Sequence, residues 1–127
     1  MEPSQLRIGV MKRAPLGGAP LHADCVAAVD STAHLLQSLG HVIDESHPAA
    51  LDEPEFSARF MELLACLVAG ALNQFGAMVG RKLIQQDVEL WTWSLASPGF
   101  TVLAPQFLAS VQWLQLWSRR VAGWWSG

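Results

Sequence analysis

The sequence predicts an α/β fold, in which a βαβ unit is followed by three helices. Residues 6–10 alternate as a short strand does, and residues 41–46 form a second strand candidate. The segment between them, and most of the chain after residue 52, instead repeats its apolar residues every three or four positions. Proline and glycine residues separate these segments, as expected at turns. The prediction is a single unit over residues 1–127.

The βαβ unit is predicted over residues 1–47. A loop at 11–21 follows the first strand, and a helix then extends from His22 to Leu39. Asp24 places a negative charge at the positive end of the helix dipole, and Gly40 is suited to a left-handed turn at the helix end. Short connections on both sides of the helix predict parallel strands and a right-handed crossover.

A buried helix is predicted over residues 52–80. Asp52 is positioned to cap it, with Glu55 three residues later, and Pro54 is tolerated in the first turn. Two apolar stripes lie side by side on this helix, which leaves only a narrow polar strip and predicts a cover on most sides. One stripe contains Phe56, Phe60, Leu63, Leu67, Ala71, Phe75 and Met78, the second Met61, Leu64, Val68 and Leu72, and the polar strip Arg59, Glu62 and Asn73.

A tryptophan-rich helical tail is predicted over residues 86–126. It begins with a short helix at 88–95 that ends at Ser97-Pro98-Gly99, and its last helix starts at Pro105 and reaches about Val121. The apolar side of that last helix contains Phe107, Leu108, Val111, Leu114, Trp117 and Val121. All six tryptophans lie in the tail: Trp91, Trp93, Trp113, Trp117, Trp124 and Trp125. Since little chain follows the last two, we expect other structure to cover their rings.

The composition is unusually apolar for a chain of 127 residues, with 51% hydrophobic and 15% charged residues and a mean hydropathy of +0.26. This excludes intrinsic disorder, and the net charge of −3 argues against a nucleic-acid partner. Three explanations compete: a membrane protein, an obligate oligomer, or a piece of a larger protein. The longest uninterrupted apolar run, at 63–72, is far shorter than the ~20 residues of a membrane span. We therefore predict no membrane association.

A cytoplasmic location is predicted from the N-terminal residues and from the two cysteines. The first residues lack the positive start and apolar run of a secretory signal. Cys25 and Cys66 match no metal-ligand spacing and are interpreted as small buried hydrophobic residues with reduced thiols.

The sequence contains no recognisable active site, so no catalytic residue, cofactor site or metal site is predicted. There is no G-x-S-x-G motif, and the glycines at 17–18 are interpreted as a turn. His41 and His47 with Asp44 and Glu45 lack the spacing of a metal site. The histidines, which include His22 and His34, are in no triad-like order. The basic pair Arg119-Arg120 is expected to be solvated or ion-paired within the chain, with an anion or RNA contact as the alternative.

The order of several short motifs resembles the amidase signature family. These motifs are Leu6-Arg7-Ile8-Gly9-Val10, the loop with Pro15 and Gly18-Ala19-Pro20, His22-Ala23-Asp24-Cys25-Val26, Leu39-Gly40-His41-Val42-Ile43-Asp44, the segments at 48–51 and 89–93, and Ser118-Arg119-Arg120-Val121. Each is weak alone, but together they cover nearly the whole chain. They are similar to the part of the family that lies downstream of its catalytic core.

The resemblance implies a mixed sheet with helices on both faces and the hydrolysis of carboxylic amides without a cofactor. In the family, a Ser–cis-Ser–Lys triad in a preceding Gly/Ser-rich region performs the reaction, and that region is absent here. Lys12 and Lys82 are the only lysines, and neither is in the family's lysine context. Trp91 and Trp93 fall in a family element that would lie near the substrate cleft, with packing as the alternative role.

Two hypotheses follow. In the first, the chain is an amidase-family segment, a natural truncation or a fragment, that is inactive alone and meets a small amide substrate only when completed by the rest of the enzyme. In the second, it is a catalytically dead remnant that forms a homo-oligomer through its apolar helices. A third, weaker idea is a subunit related to the glutamine-dependent amidotransferases.

Overall fold

The computed structural model describes residues 4–126, which are mostly helical and include a small parallel sheet, so the α/β class is confirmed. The strands are β1 (Arg7–Gly9) and β2 (Val42–Asp44). The α-helices are α1 (Ala23–Ser38), α2 (Glu55–Met78), α3 (Leu90–Gly99) and α4 (Ala104–Gly123). Short 3₁₀ turns occur at Pro15–Gly17, Ala49–Asp52, Gln85–Asp87 and Trp124–Ser126.

The described chain divides into two compact units. The head unit comprises residues 4–53 and 120–126, and the helical unit comprises residues 54–119. The single unit over 1–127, with a head at 1–47, a helix at 52–80 and a tail at 86–126, stays a prediction.

The strands of the head unit are parallel, as the βαβ pattern predicts. Arg7 is in register with Val42, and Gly9 with Asp44. Each strand is shorter than its sequence pattern predicts, because only three residues of each strand pair with the other strand. Within the described residues the sheet contains β1 and β2 alone, so the mixed sheet with helices on both faces stays a prediction.

Helix α1 begins and ends almost where the sequence predicts. The His22 ring caps it by accepting the Asp24 N–H at 3.2 Å, and Asp24 lies in the first turn. Gly40 has φ of 91°, the left-handed conformation expected of the residue that ends this helix. Cys25 is exposed, so its interpretation as a buried hydrophobic residue was wrong, whereas Cys66 on α2 is partly buried.

Helix α2 starts at Glu55 without a side-chain cap, so the prediction that Asp52 caps it was wrong. The Asp52 carboxylate instead accepts hydrogen bonds from Arg13, His47 and the Leu16 N–H. An arginine and a histidine from distant positions offer this carboxylate stronger, charge-assisted bonds than backbone N–H groups would. Sequence spacing alone cannot reveal such partners.

The buried side of α2 differs from the predicted stripes. It is a line of small residues and one leucine, namely Ala65, Ala69, Leu72 and Gly76. Large side chains that the stripes place in the core are exposed: Phe60, Met61, Leu67, Phe75 and Met78. The helix is therefore not buried on most sides within the described residues. An almost uniformly apolar helix has no periodic signal that says which side another helix will cover.

Helix α3 packs on this small-residue line. A Cβ on Gly99 would overlap the Ala65 carbonyl group, which shows how closely the two backbones approach. The core consists of Ala69, Leu72 and Ala96. The sequence predicts that α3 ends at Ser97-Pro98-Gly99, but the helix continues through Pro98 to Gly99. A proline in the last turn removes one backbone hydrogen bond, which the packing against α2 outweighs.

By length and mean hydropathy (1.4), one helix among the described residues, α2, is able to cross a membrane. The core helix of a soluble protein passes the same test, so this is weak evidence.

Helix α4 agrees with its predicted pattern over most of its length. Its predicted apolar side is partly buried except at Leu108, which is 63% exposed. In the helical unit, the Trp117 ring stacks on Phe56 with a centroid distance of 4.4 Å. Ser110 is fully buried on this helix.

Candidate functional site

Trp91 and Trp93, the two residues that the resemblance places near a cleft, have different surroundings. Trp91 is 74% exposed. Trp93 packs against the core of the helical unit and lies 5.9 Å from the Phe100 ring, centroid to centroid. Trp93 therefore has the packing role that is the alternative to a place near the cleft. Proximity to a cleft stays a prediction for both residues.

Trp124 and Trp125 lie at the end of the head unit, with their rings 5.2 Å apart in an edge-to-face arrangement. Trp124 covers Gly9 so closely that an added Cβ would lie 2.6 Å from its ring. Trp125 remains 67% exposed. The head unit thus covers one of the two rings.

The predicted absence of a metal site concerns histidine and carboxylate side chains. In residues 4–126, no group of three or more metal-ligating side chains comes together. Asp44 is ion-paired with Arg7 at 3.1 Å, and His47 bonds to Asp52 at 2.8 Å. The first of these ion pairs links β1 to β2, and the second lies in the segment that follows β2.

One polar cluster in the head unit, the Asp52 cluster, consists of Arg13, His47 and Asp52. The Arg13 guanidinium donates to both Asp52 oxygens, at 2.9 Å and 2.5 Å, and its Nη2 lies 2.9 Å from the His47 Nε2. Hydrogen bonds from Arg13, and then from His47, hold the pKa of Asp52 well below its usual range. A carboxyl group held ionised in this way accepts hydrogen bonds but is a poor general acid. The Asp52 cluster therefore ties the 11–21 loop to the segment after β2.

A second ion pair of the head unit joins Arg120 to Glu53. The guanidinium donates through Nε and Nη2 at 2.7 Å and 2.5 Å. These bonds lower the pKa of Glu53. The interpretation of Arg120 as part of an intrachain ion pair is confirmed.

The candidate binding site is a groove of about 410 Å³ in the helical unit, between α2, α3 and the start of α4. This volume is within the range of about 300–1,000 Å³ that is typical of small-molecule sites. The apolar lining comes from Met61, Ala65, Leu95, Pro98 and Val102. The polar lining comes from Glu62, Ser94, Thr101 and Gln106.

Glu62 is the charged residue of the groove, and neutral groups orient its carboxylate. The buried Ser110 hydroxyl donates to Glu62 Oε1 at 2.6 Å, and the Gln106 amide donates to Oε2. Arg59, one turn earlier on α2, donates to the Ser110 hydroxyl at 3.2 Å. The serine therefore connects the guanidinium to the carboxylate and fixes both.

Two residues with hydroxyl groups, Ser94 and Thr101, line the groove, and the Cys66 thiol is on α2 outside the lining. Ser94 makes no side-chain hydrogen bond to a histidine, lysine or carboxylate within residues 4–126. Burial, together with the negative charge of Glu62, raises the pKa of the Cys66 thiol, which therefore stays protonated at neutral pH.

Sequence reasoning missed both the Asp52 cluster and the groove. The local spacing of Asp52 fits a helix cap, and this spacing says nothing of Arg13 and His47. Glu62 was recognised only as part of a polar strip, although a carboxylate in the middle of an apolar helix is itself a signal that it needs a partner. That partner, Ser110, lies 48 residues later in the sequence.

Comparison with known proteins shows similarity to hydrolases of a cyclic dimer. No family model matches the sequence. The chain is 30% identical over 123 residues to the 6-aminohexanoate-cyclic-dimer hydrolases of Pseudomonas sp. (strain NK87) and Paenarthrobacter ureafaciens. The alignments cover 97% of this chain and 25% of each hydrolase. The chain thus spans about a quarter of the length of the curated relatives that it matches.

Solved structures agree with the sequence comparison. Two structures of 6-aminohexanoate cyclic dimer hydrolase, one of them complexed with substrate, superimpose with TM-scores of 0.90 and 29% sequence identity. They cover 99% of this chain and 26% of the hydrolase chain. In sequence and in fold, the chain is similar to one segment of a hydrolase.

Proposed function

We propose that this chain supplies the part of an amidase-type hydrolase that lies downstream of its catalytic serines and lysine. By itself it hydrolyses no amide. The observation that carries the proposal is the similarity of almost the whole chain to about a quarter of a hydrolase, in sequence and in structure.

The name of the relatives suggests the reaction of the completed enzyme. A cyclic dimer of 6-aminohexanoate is closed by two amide bonds, so its hydrolysis breaks a carbon–nitrogen bond and releases a carboxylate and an amine. The substrate class that we propose for the completed enzyme is therefore a small amide of this kind.

The surface of the chain supports a role that needs further structure. Large apolar side chains are exposed on three helices of the helical unit, for example Phe75 and Met78 on α2, Leu90 and Trp91 on α3, and Leu108 on α4. An exposed apolar surface of this extent is typical of an interface. In the proposed enzyme, the catalytic portion covers part of it.

A second candidate function is a homo-oligomeric interaction module, which the same exposed side chains and Trp125 favour. Two copies would bury these residues against each other. Size-exclusion chromatography with light scattering separates the candidates, since a defined homodimer is expected of the module and not of an enzyme segment.

The first experiment measures hydrolysis by the purified chain alone. We expect no release of linear product from the 6-aminohexanoate cyclic dimer, with the Pseudomonas sp. hydrolase as the positive control. Turnover that a serine-directed inhibitor abolishes would contradict the proposal that this chain has no catalytic centre.

The second experiment replaces the matched quarter of the Pseudomonas sp. hydrolase with this chain. We expect a folded chimera that hydrolyses the cyclic dimer and incorporates a serine-directed label. A chimera that unfolds cooperatively and takes up the label, yet shows no hydrolysis of this or other small amides, would refute the assignment of this chain to such an enzyme.

A further inference from the structure

We propose that the groove of the helical unit binds the ammonium end of an aliphatic primary amine, with Glu62 as the carboxylate that pairs with it. The inference concerns a side chain that this chain contributes itself, and it does not depend on the proposed hydrolase function.

Glu62 has a carboxylate with no cationic partner among the described ion pairs. Its two oxygens accept hydrogen bonds from Ser110 and Gln106, which are both neutral. A carboxylate has about four lone-pair positions, so each oxygen can accept one more donor. Across residues 4–126, Glu62 is in none of the ion pairs. The nearest connected cation, Arg59, donates to the serine hydroxyl and is outside the groove lining.

The Glu62 carboxylate is held in place by its hydrogen bonds. Ser110 is fully buried, and its hydroxyl is held by Arg59 on one side and by Glu62 on the other. A preorganised carboxylate binds a cation without the loss of side-chain freedom that a mobile surface glutamate suffers. The compact ammonium group can donate two of its three N–H bonds to the two remaining lone-pair positions.

The groove lining next to Glu62 is mainly apolar. Met61, Leu95, Pro98 and Val102 provide an apolar wall, and Met61 is a flexible side chain that adapts to different occupants. A ligand with a charged head and an aliphatic tail satisfies both parts of the groove. An anion is disfavoured by the negative charge of Glu62.

The test is a ligand titration of the full chain, monitored by NMR, with three molecules that each contain six carbon atoms: hexylammonium, hexanol and hexanoate. We expect saturable binding of hexylammonium at millimolar concentration, at least tenfold weaker binding of hexanol, and no binding of hexanoate. Shortening the tail from hexyl to butyl should weaken binding by about threefold to fourfold per methylene group.

Two variants locate the site. Glu62→Gln keeps the shape of the side chain and should weaken hexylammonium binding at least tenfold. Glu55→Gln removes another carboxylate of α2 that is outside the groove lining, and should leave binding unchanged. The NMR spectrum of each variant without ligand shows whether it is folded.

Three results would overturn the proposal: binding of hexanol as tight as that of hexylammonium, unchanged affinity in a folded Glu62→Gln variant, or no saturation by the folded chain. The first would instead indicate an apolar docking surface for a protein segment. The comparison of the three ligands needs no variant, so it decides the matter even if Glu62→Gln fails to fold.

Discussion

In the head unit, charged side chains hold loops in place, whereas in the helical unit small residues allow two helices to pack closely. The head unit has a two-stranded sheet, the Asp52 cluster and the Arg120–Glu53 pair, and only Pro48 and Ala50 are buried in its described part. The core of the helical unit is built around Ala69, Leu72 and Ala96. A polar network is sensitive to pH and to salt, whereas an apolar core is sensitive to volume. Substitutions in each unit should show this difference.

The largest effect is expected from Leu72→Ala in the core of the helical unit. Leu72 is only 6% exposed, so its truncation leaves a cavity and should lower the free energy of unfolding by about 3 kcal/mol. Leu67→Ala on the same helix is the matched control, because Leu67 is 58% exposed and should change stability by less than about 1 kcal/mol. Urea unfolding monitored by tryptophan fluorescence measures both. Equal effects would show that the close packing of α2 and α3 does not stabilise this unit.

The next effect is expected from Gly99→Ala. The added methyl group would overlap the Ala65 carbonyl, and overpacking of this kind costs about 2 kcal/mol. Gly70→Ala is the control, since the new Cβ would meet no described atom within 4 Å apart from its chain neighbours and the backbone of its own helix, and alanine favours a helix interior by about 0.5–1 kcal/mol. The two variants should therefore have opposite signs in the same denaturation assay. A stabilising Gly99→Ala would mean that the two backbones are farther apart than described.

A smaller effect is expected from Ser110→Ala. The substitution removes the hydroxyl that connects Arg59 to Glu62, at a cost of about 1 kcal/mol. Ser118→Ala, at an exposed position of α4, should be neutral. Thermal unfolding compares the two variants. If they behave alike, the buried hydroxyl does not contribute to the stability of the helical unit.

The smallest effect, and the one that depends on pH, is expected from Asp52→Asn in the head unit. Because its bonds to Arg13 and His47 lower the pKa of Asp52 in the folded chain, its contribution is complete above the ordinary aspartate pKa of about 3.9. It is lost as the pH falls from there toward the lowered folded pKa. The variant should therefore have a lower Tm than the wild type at pH 7, and the difference should shrink in acid.

Glu45→Gln is the control for that measurement, because Glu45 is an exposed carboxylate of the same unit. At pH 7 its Tm should differ from that of the wild type by less than the Tm of Asp52→Asn does. If the difference between Asp52→Asn and the wild type were constant with pH, the Asp52 cluster would not be the electrostatic link of the head unit.

The helices and strands were largely predictable because their signals are local. His22 and Gly40 limit α1, and the strands on either side pair in parallel. Predictions from local sequence were wrong where a group distant in the sequence contacts the residue. Asp52 has the spacing of a cap, yet Arg13 and His47 bind it. Proline usually ends a helix, yet α3, which packs against α2, includes Pro98 and ends at Gly99.

The candidate site was less predictable than the fold, since its parts are far apart in the sequence. Glu62 and Ser110 meet only because α2 and α4 pack together within the helical unit. The predicted cleft residues, Trp91 and Trp93, were chosen by resemblance, and the structure includes neither in the groove lining. The cytoplasmic location and the absence of membrane and nucleic-acid partners stay predictions.

By itself, the sequence determined that the chain is apolar, that it alternates between strand and helix in a definite order, and that it contains no recognisable catalytic motif. Each of these properties depends on composition or on residues within a few positions of each other. Tertiary structure alone decided which side of α2 is covered, which partners Asp52 has, and where a carboxylate meets an apolar groove. A uniformly apolar helix has no preferred side until a second helix packs on it, and a polar side chain bonds to whichever strong partner the fold brings near.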